Sequence, residues 1–554
     1  MKKVLIFALF VLAVSFFLGR ELNPLDPHFF TVHDNTQVAR IEQFAVNLKS
    51  GILPPRVAPD FSYGFGYPVF NFYAPLSYWM GGALALVVSA ATALKTLFFL
   101  GVVLSFVTMF LFISARFDFW KGIMAGSLYA SSLWMAVEVF VRGNVGEIWF
   151  IALLPLGFYF LLHPKINKKP LFLIGGVFVL AALFTVHNVL SLVTLPIMAI
   201  VAFFASSKKH AFLMIFLSLL LSAYFLVPAL GESRLTYATE IASKTNYADH
   251  FLCSWQLWSA DHWGFGGSGK GCFADDMSFQ IGKPHIIIGL IGLVVFVYEW
   301  FFVKEKRRGG YFPFSILLLG SGMAFLTTYA SQPVWDLFKQ EVKVFQFPWR
   351  FLPFATFALS YFAAYSGDLV KNKTIRASIL VLVSLALLVT SSKFFSRPWK
   401  YQLDEYTGMF LTKTYIQEKA AYEIPEYFPR VGSYDAWRNY KETALSAAYA
   451  PTTVSKDNSF MQTYRADNTV SVLPILYFPF WQITVNNHVV VPDRFDPIGR
   501  PIVQTTPGDT IQIRYQQTPI ELIGDLLTMM TFISLGILYF YTPLWNNKHN
   551  STNR

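Results

Sequence analysis

The sequence predicts an all-α polytopic membrane protein of about 12–13 transmembrane segments, with a small extracytoplasmic β domain before the last helix. The helical part follows first from composition, because 54% of the 554 residues are hydrophobic and only 14% are charged. Soluble domains carry about 25% charged residues. It follows also from apolar runs that recur from end to end, each about long enough to cross a hydrocarbon core of roughly 30 Å. Period-two alternation late in the chain predicts the β domain.

The predicted crossings are the apolar runs 4–19, 75–92, 94–114, 122–140, 147–163, 170–187, 189–206, 211–230, 284–302, 312–330, 351–368, 377–393 and 520–541. The first run follows Lys2 and Lys3 and lacks a small-x-small cleavage pattern, so it predicts an uncleaved first helix. With both chain ends predicted in the cytoplasm, one run has to be re-entrant, interfacial or counted twice. The weakest is 122–140, which glycines, serines and Glu138 interrupt.

Clusters of lysine and arginine predict the orientation, because short basic loops stay on the cytoplasmic side. Such clusters lie at 165–169, 208–209, 304–308 and 371–376. They place 20–74, 231–283, 331–348 and 394–518 outside and the tail after residue 541 inside. The net charge of +11 therefore follows from topology and does not indicate nucleic-acid binding.

This topology predicts three parts. Residues 1–393 form a transmembrane domain with a first outer loop 20–74 and an outer loop 231–283, residues 394–518 form an extracytoplasmic domain, and residues 519–554 form the final helix and a cytoplasmic tail. From about residue 440 the extracytoplasmic domain alternates like antiparallel strands. The residues 481–485, an Asn486-Asn487 turn and 489–491 read as a hairpin. The segment 510–515 follows a Pro-Gly-Asp turn and predicts a further strand of a sandwich-like module.

The first outer loop carries a carboxylate, an imidazole and a guanidinium within eight residues, where the chain leaves the bilayer: His33, Asp34 and Arg40. A carboxylate at the membrane surface could take a proton from an acceptor hydroxyl. The structural alternative is capping, since Asp34 or Thr31 could cap a helix over 35–50.

Polar residues also interrupt later apolar runs. Charges at membrane depth are costly and usually face a cavity or one another. Arg142 and Glu147 therefore predict either a structural ion pair or a contact from Arg142 to an anionic headgroup. His187 and Asn188 predict a polar break, for which a buried, hydrogen-bonded histidine is the structural alternative.

The outer loop 231–283 combines several candidates: Arg234, tryptophans, a glycine-rich patch, Asp275-Asp276 and Gln280. Its two cysteines, Cys253 and Cys272, are either free thiols or a disulfide in an oxidising compartment. Asp275 and Asp276, with His33 and Asp34, are candidate ligands for a divalent cation, although two adjacent acids specify no site. Arg350 opens a membrane segment after Gln346-Phe347-Pro348-Trp349, where it could anchor the helix or meet a lipid phosphate.

No P-loop, Cys/His zinc pattern, G-x-S-x-G elbow or haem motif occurs. The ordered set of motifs nevertheless resembles the bacterial membrane proteins labelled "6-pyruvoyl-tetrahydropterin synthase-related", relatives of the YfhO-like proteins and of the GT-C glycosyltransferase superfamily. The resemblance covers most of the chain and rests on Asp34, the turn 51–56, the aromatic segment 64–73, Arg142-Gly143 with Glu147, His187-Asn188, 276–280 and 346–350. The pterin label is not taken literally, because the chain offers no histidine cluster for zinc.

The resemblance implies a GT-C-like membrane glycosyltransferase of the cell envelope. The implied enzyme transfers a sugar from a polyprenyl-phosphate donor to an extracytoplasmic glycan, lipid or protein acceptor. Asp34 matches the first-loop base, with Arg142, Arg234 and Arg350 as candidate cations for the departing phosphate. The sequence establishes no cofactor and leaves the divalent ion considered above open, and the predicted location is the plasma membrane with the active site outside.

Two other functions stay open at this stage. A transporter or flippase for lipid-linked glycans should show two related halves with broken helices at the midplane, and the sequence shows no such halves. A glycan-binding or assembly factor on an inactive enzyme scaffold would keep a pocket that reaches Asp34 but lack a lipid-sized groove.

Overall fold

The computed structural model describes residues 1–242, 246–260, 262–303, 310–440 and 449–551. The chain is mostly helical, with a β-rich region followed by one last helix, which confirms the predicted fold class. The α-helices are Lys2–Phe17, Gln37–Lys49, Phe61–Gly64, Val69–Phe72, Leu76–Leu84, Ala90–Arg116, Phe119–Ala130, Leu133–Val137, Val145–Leu162, Pro170–Thr185, Asn188–Ala202, Lys208–Leu221, Ala223–Gly231, Ala238–Ala242, Lys283–Phe302, Phe312–Leu326, Gln332–Leu337, Lys339–Val342, Leu352–Ser366, Lys373–Ser391, Leu403–Phe410, Tyr434–Arg438 and Pro519–Ser551.

Several of these helices suit a multi-pass membrane protein. In the described part of the chain, five are long and apolar enough to cross a membrane: Ala90–Arg116, Val145–Leu162, Lys283–Phe302, Lys373–Phe394 and Pro519–Phe540. The number rises to seven if each of two bent pairs is one span. Three shorter apolar helices add to them: Pro170–Thr185, Asn188–Ala202 and Phe312–Leu326.

The weak run 122–140 is broken, as its glycines and serines suggest. Phe119–Ala130 and Leu133–Arg142 meet at an angle of 41°, and the second member ends in a π-helical turn over Glu138–Arg142. The run 211–230 is also broken, with an angle of 66° between Lys208–Leu221 and Ala223–Gly231. π-helical turns such as that over Glu138–Arg142 are rare and are frequently found at functional sites.

The run 75–92 is not one continuous helix. Leu76–Leu84 has nine residues, which rise about 14 Å and cannot cross about 30 Å of hydrocarbon. Ser89 then caps the next helix by accepting from the Thr92 N–H. The short helix packs under the first loop instead, where Gly82 leaves room for Phe44: a Cβ at Gly82 would lie 2.6 Å from that ring.

The described residues form three antiparallel sheets, of which two lie in the β-rich region and one joins the first loop to residues 401–402. The strands are β1 His28–Phe29, β2 Tyr401–Gln402, β3 Thr452–Asn458, β4 Met461–Arg465, β5 Val470–Val472, β6 Trp481–Val485, β7 His488–Val490, β8 Arg494–Phe495, β9 Pro501–Gln504 and β10 Thr510–Tyr515. Their orders are β1-β2, β3-β4-β10-β6-β7 and β5-β9-β8. The predicted hairpin is confirmed: β6 and β7 pair across Asn486 and Asn487, both with positive φ, as a two-residue hairpin turn requires.

The pairing of β1 with β2 ties the first loop to the segment after residue 394. Phe29 pairs with Tyr401, and the Leu403 N–H donates to the Pro27 carbonyl at 2.7 Å. The segment 401–440 is thereby held over the first loop, which positions residues from both in one place.

The first helix is packed into the fold. Its Phe7 ring lies 4.5 Å from the Phe110 ring and its Val14 is fully buried. The basic cluster 304–308 lies outside the described residues, and the predicted orientation and domain boundaries stay predictions.

Cys253 and Cys272 form a disulfide, with their Cα atoms 5.5 Å apart. Asp275, three residues beyond the bridge, accepts from Gln256 and from the Gly269 N–H, both within the closed loop, at 2.7 and 3.0 Å. Thiol labelling of the native protein without reductant is expected to find no reactive cysteine. Replacing both cysteines by serine should lower stability by about 3 kcal/mol, the chain-entropy value for a loop of this length. Two labelled thiols in the folded protein would contradict the pairing.

Candidate functional site

The first-loop acid, Asp34, does not cap a helix. The helix it precedes begins at Gln37, with Thr36 at its N-cap and no side-chain cap. The half-buried Asp34 carboxylate instead accepts through Oδ2 from the Gln37 amide at 3.1 Å. Among the described residues its Oδ1 accepts no hydrogen bond, so one carboxylate oxygen is available to a ligand.

A chain of hydrogen bonds joins Asp34 to Arg40. The side-chain oxygen Oε1 of Gln37 accepts from the Tyr78 hydroxyl at 2.8 Å, and that hydroxyl accepts from Arg40 Nη1 at 3.2 Å. Arg40 recurs on the same helix face as Gln37, three residues on, which explains why both reach Tyr78. The four side chains form one network at the start of the helix Gln37–Lys49.

Arg40 is a buried cation with spare hydrogen-bonding capacity. It is only 1% exposed, its guanidinium lies 4.8 Å from the Tyr73 ring centre, and its Nε has no partner. No carboxylate among the described residues is within ion-pair distance of it. Burial alone lowers the pKa of Arg40, but Tyr78, Tyr73 and Asp34 outweigh that effect and raise its pKa above the usual value.

Arg142 has a different environment, because two buried glutamates hold it. Its Nη1 donates to both oxygens of Glu138 at 2.7 and 2.6 Å, and its Nη2 donates to Glu147 at 2.8 Å. The Trp349 ring centre lies 4.4 Å from the guanidinium. The structural ion pair considered for Arg142 and Glu147 is confirmed, and Glu138, a partner missed in the sequence, joins it. The spacing of four residues between Glu138 and Arg142 on a helix was the signal that could have found it.

Glu147 links this ion-pair group to two further candidates. His187 Nε2 and Arg350 Nε each lie 3.4 Å from its carboxylate. His187 also caps the helix Asn188–Ala202 by accepting from the Leu190 N–H. Two arginines and two glutamates make this group neutral by count, and its hydrogen bonds are largely internal.

Backbone hydrogen bonds bring the two groups together. The His33 and Asp34 N–H groups donate to the Val141 and Arg142 carbonyls at 2.9 and 3.0 Å. This close approach needs a glycine at position 143, where φ is +65° and a Cβ would lie 2.2 Å from Val32. The strand-like first loop therefore lies against the π-helical turn that carries Arg142.

The segment 401–440 also contributes to the site, which the sequence did not indicate. Tyr415 lies 3.4 Å from the Thr36 hydroxyl. Burial raises the pKa of the half-buried Glu426 carboxyl above its usual value. The charge of Asp34 acts in the same direction, and Arg40 and Arg350 act against it. Glu426 is thus a second acid within the electrostatic reach of Asp34 and Arg40.

The remaining candidates lie elsewhere or are engaged by the protein. Asn188 holds the first loop, accepting from the Ala74 N–H and donating to the Phe72 carbonyl, each at 2.7 Å. The exposed His33 meets the Phe265 carbonyl at 3.0 Å, and Asp276 exchanges backbone bonds with Gly266 and Gly267. Gln280 lines a separate cavity. Arg234 is exposed on a short turn, and no hydrogen bond or ion pair among the described residues joins it to Asp34.

The described residues do not form the divalent-cation site that the sequence analysis considered. In the described part of the chain, no three His, Cys, Asp or Glu side chains come together as a metal site. Asp275 is committed to Gln256 and Gly269, which removes it from the set considered in the sequence.

An ion-pair group of this kind predicts a stability effect. Replacing Arg142 by methionine should lower the free energy of unfolding by about 3–5 kcal/mol, because it leaves two buried glutamates without their cation. The measurement is thermal denaturation in detergent. Adding Glu138→Gln should recover part of the loss, since it removes one orphaned charge. An unchanged melting temperature with impaired ligand binding would assign Arg142 to the ligand instead.

No protein-family profile matches the sequence, and no curated protein matches it. Among solved structures, an Archaeoglobus fulgidus oligosaccharyltransferase tethered to an acceptor peptide is similar at 11% identity and a TM-score of 0.38, over 72% of this chain and 56% of that chain. ArnT from Cupriavidus metallidurans, bound to undecaprenyl phosphate, is similar at 13% identity and a TM-score of 0.35, over 76% of this chain and 78% of that chain.

A second structure of the archaeal oligosaccharyltransferase, with Zn and sulfate, is similar at 15% identity and a TM-score of 0.33, over 70% of this chain and 52% of that chain. The chain therefore spans about half the length of the oligosaccharyltransferase. Similarity at these TM-scores assigns no activity to the chain, and membership of the 6-pyruvoyl-tetrahydropterin synthase-related group stays a prediction.

Proposed function

We propose that this chain is a membrane glycosyltransferase that transfers a sugar from a polyprenyl-phosphate donor to an acceptor on the extracytoplasmic side. The observation that carries the proposal is an accessible carboxylate, Asp34, in one hydrogen-bond network with a buried guanidinium, Arg40, that forms no ion pair with a described carboxylate. A sugar-phosphate transfer needs these two things: a base for the acceptor and fixed positive charge for the departing phosphate.

Asp34 is proposed as the general base. Its backbone is held by the Arg142 carbonyl and one oxygen by Gln37, which fixes the direction of the carboxylate. The other oxygen is open to an acceptor hydroxyl. Fixed orientation matters because a general base has to lie within hydrogen-bond reach of the proton that it removes.

Arg40 is proposed to bind the donor phosphate, and Arg350 is proposed to contribute a second positive charge to the same site. Buried guanidinium groups bind phosphate through N–H donors, and Arg40 has an unpartnered Nε, whereas its Nη1 donates to Tyr78. Arg350 is half-buried and donates from Nη1 to the Phe345 carbonyl and to Gln346, each at 3.2 Å. Arg142, in contrast, is held by two glutamates and is not proposed for this role.

The proposed reaction is a single displacement at the sugar carbon. The acceptor oxygen forms a bond to the anomeric carbon as the bond from that carbon to the phosphate oxygen breaks. Asp34 takes the acceptor proton, and the phosphate leaves with the bonding electron pair, stabilised by Arg40. Since a phosphate is already a weak base, the leaving group needs no general acid.

The test is incubation of the purified chain in lipid nanodiscs with a panel of radiolabelled polyprenyl-phosphate sugars and envelope extract as the acceptor source. Transfer of label from at least one donor, lost in the Asp34→Asn variant, is the expected result. A folded protein that binds no polyprenyl phosphate and transfers no label from any donor would contradict the proposal.

A further inference from the structure

A cavity of about 470 Å³ lies at one end of two membrane-crossing helices, away from the Asp34 network. Lys283, the first residue of the helix Lys283–Phe302, lines one side. Lys393, at the end of the span Lys373–Phe394, lines the other. None of the residues that form the Asp34–Arg40 network borders this cavity.

The cavity is cationic. Lys283, Lys393 and the exposed His262 line it, and none of the side chains described around it is acidic. Neither lysine forms an ion pair with a described carboxylate. The Lys283 ammonium group lies 6.0 Å from the Trp258 ring centre, and the Lys393 ammonium group lies 5.0 Å from the Phe394 ring centre. Two cations that face one concavity repel each other, and a bound anion removes that repulsion.

Hydrogen-bond donors of the backbone and of a side chain also favour an anion at this cavity. The twenty-residue helix that begins at Lys283 has Gly282 at its N-cap and no side-chain cap. Pro284 has no N–H, so the first-turn donors are the N–H groups of Lys283 and His285, which receive no acceptor from the N-cap side chain. Such helix N-termini attract anions. Gly282 has φ +116°, and a Cβ there would lie 2.5 Å from His285 Nδ1, so the glycine keeps this end of the helix open.

His285 supplies the independent sign of a ligand. It lines the cavity, is only 1% exposed, and its Nδ1 has no partner. Its Nε2 lies 3.1 Å from the Ser131 hydroxyl. If that hydroxyl donates to Nε2, the neutral ring carries its proton on Nδ1 and has a donor with nothing to bind. Buried polar atoms are rarely left in this state.

The two helices continue from the cavity as apolar, exposed faces. Side chains that are about half or more exposed along them are Ile287, Leu290, Val294, Leu382 and Val389. In a bilayer these faces border hydrocarbon, which favours a ligand with a charged head and apolar chains over a free ion.

We propose that this cavity binds a phosphate group, that of an anionic lipid headgroup, at a site separate from the transfer site. Lys283 and Lys393 supply the charge, and the helix N-terminus and His285 Nδ1 supply donors. The proposal does not depend on the transferase activity, because it concerns other residues and is tested by binding alone.

The experiment uses the full chain in a neutral detergent and measures binding by native mass spectrometry. The probes are dioctanoyl phosphatidylglycerol, inorganic phosphate and the uncharged dioctanoylglycerol. The double variant Lys283→Gln/Lys393→Gln should bind phosphatidylglycerol at least about 10-fold more weakly, since it loses two charge-assisted contacts. The matched control, Lys371→Gln/Lys373→Gln, removes two lysines at the opposite end of the same span and should stay within about 2-fold.

The probes also separate the two sources of phosphate. Stronger binding of phosphatidylglycerol than of inorganic phosphate, lost in the double variant, supports the lipid headgroup. Binding of inorganic phosphate alone, lost in the same variant, supports a phosphate site for a soluble ligand and overturns the lipid assignment. Unchanged affinity of the double variant for both, or equal binding of dioctanoylglycerol, overturns the proposal.

Discussion

Asp34→Asn is expected to lower the turnover of sugar transfer by at least about 10²-fold, the lower end of the range for loss of a general base. Asparagine keeps the size of the side chain and an oxygen that accepts from Gln37, so the loop should keep its position against Val141 and Arg142. What it loses is the ability to take the acceptor proton. The measurement is the initial rate of transfer at saturating donor, normalised to folded protein.

The control is Asp60→Asn. Asp60 lies in the same loop, is also half-buried, and also accepts from a glutamine amide, Gln43 Nε2, at 3.0 Å. Its conversion to asparagine should leave turnover within about 2-fold, because Asp60 has no proposed role in transfer and the substitution keeps the size of the side chain. Near-normal turnover in Asp34→Asn, or an equal loss in both variants, would assign the base elsewhere.

The composition and periodicity of the sequence were sufficient to predict the general architecture. The long apolar helices, the break within 122–140 and the β6–β7 hairpin all follow from local patterns. The run 75–92 shows the limit of such reasoning. An apolar helix buried under a loop has the same composition as a membrane span. The structure distinguishes them by the nine-residue length of Leu76–Leu84 and by the contact between Gly82 and Phe44.

The candidate site was predictable only in part. Asp34, Arg40, Arg142, Glu147, His187 and Arg350 were candidates from the sequence, and the structure brings them into two adjoining groups. The sequence predicted the Arg142–Glu147 pair as one alternative, but it did not indicate Glu138 as the second partner of Arg142 or the absence of an ion pair at Arg40 among the described residues. Glu426 and Tyr415 reach the site through the pairing of β1 with β2, a contact between residues 374 positions apart. Nothing local indicates such a contact.

Arg40→Met is expected to weaken binding of polyprenyl phosphate and to lower kcat/KM for the donor by about 10²–10³-fold, the usual effect of removing one preorganised donor to a developing charge. Methionine fills a similar apolar volume, and the Tyr78 hydroxyl keeps its acceptor on Gln37, so no buried acid is orphaned. Arg40→Lys keeps the charge without the fork of N–H groups and should be intermediate.

The matched control for this substitution is Arg56→Met. Arg56 is equally buried, in the same loop, but it donates to Asp525 at 2.9 Å and to the Tyr224 carbonyl at 2.6 Å, and therefore serves structure. Its loss should lower the melting temperature while the protein that remains folded binds polyprenyl phosphate normally. Arg40→Met should do the reverse: retain most of the thermal stability and lose the lipid, as measured by native mass spectrometry and by inhibition with undecaprenyl phosphate. If Arg40→Met unfolds the chain and the folded fraction binds the lipid with unchanged affinity, Arg40 is a structural cation, and the phosphate has to meet Arg350 or another group.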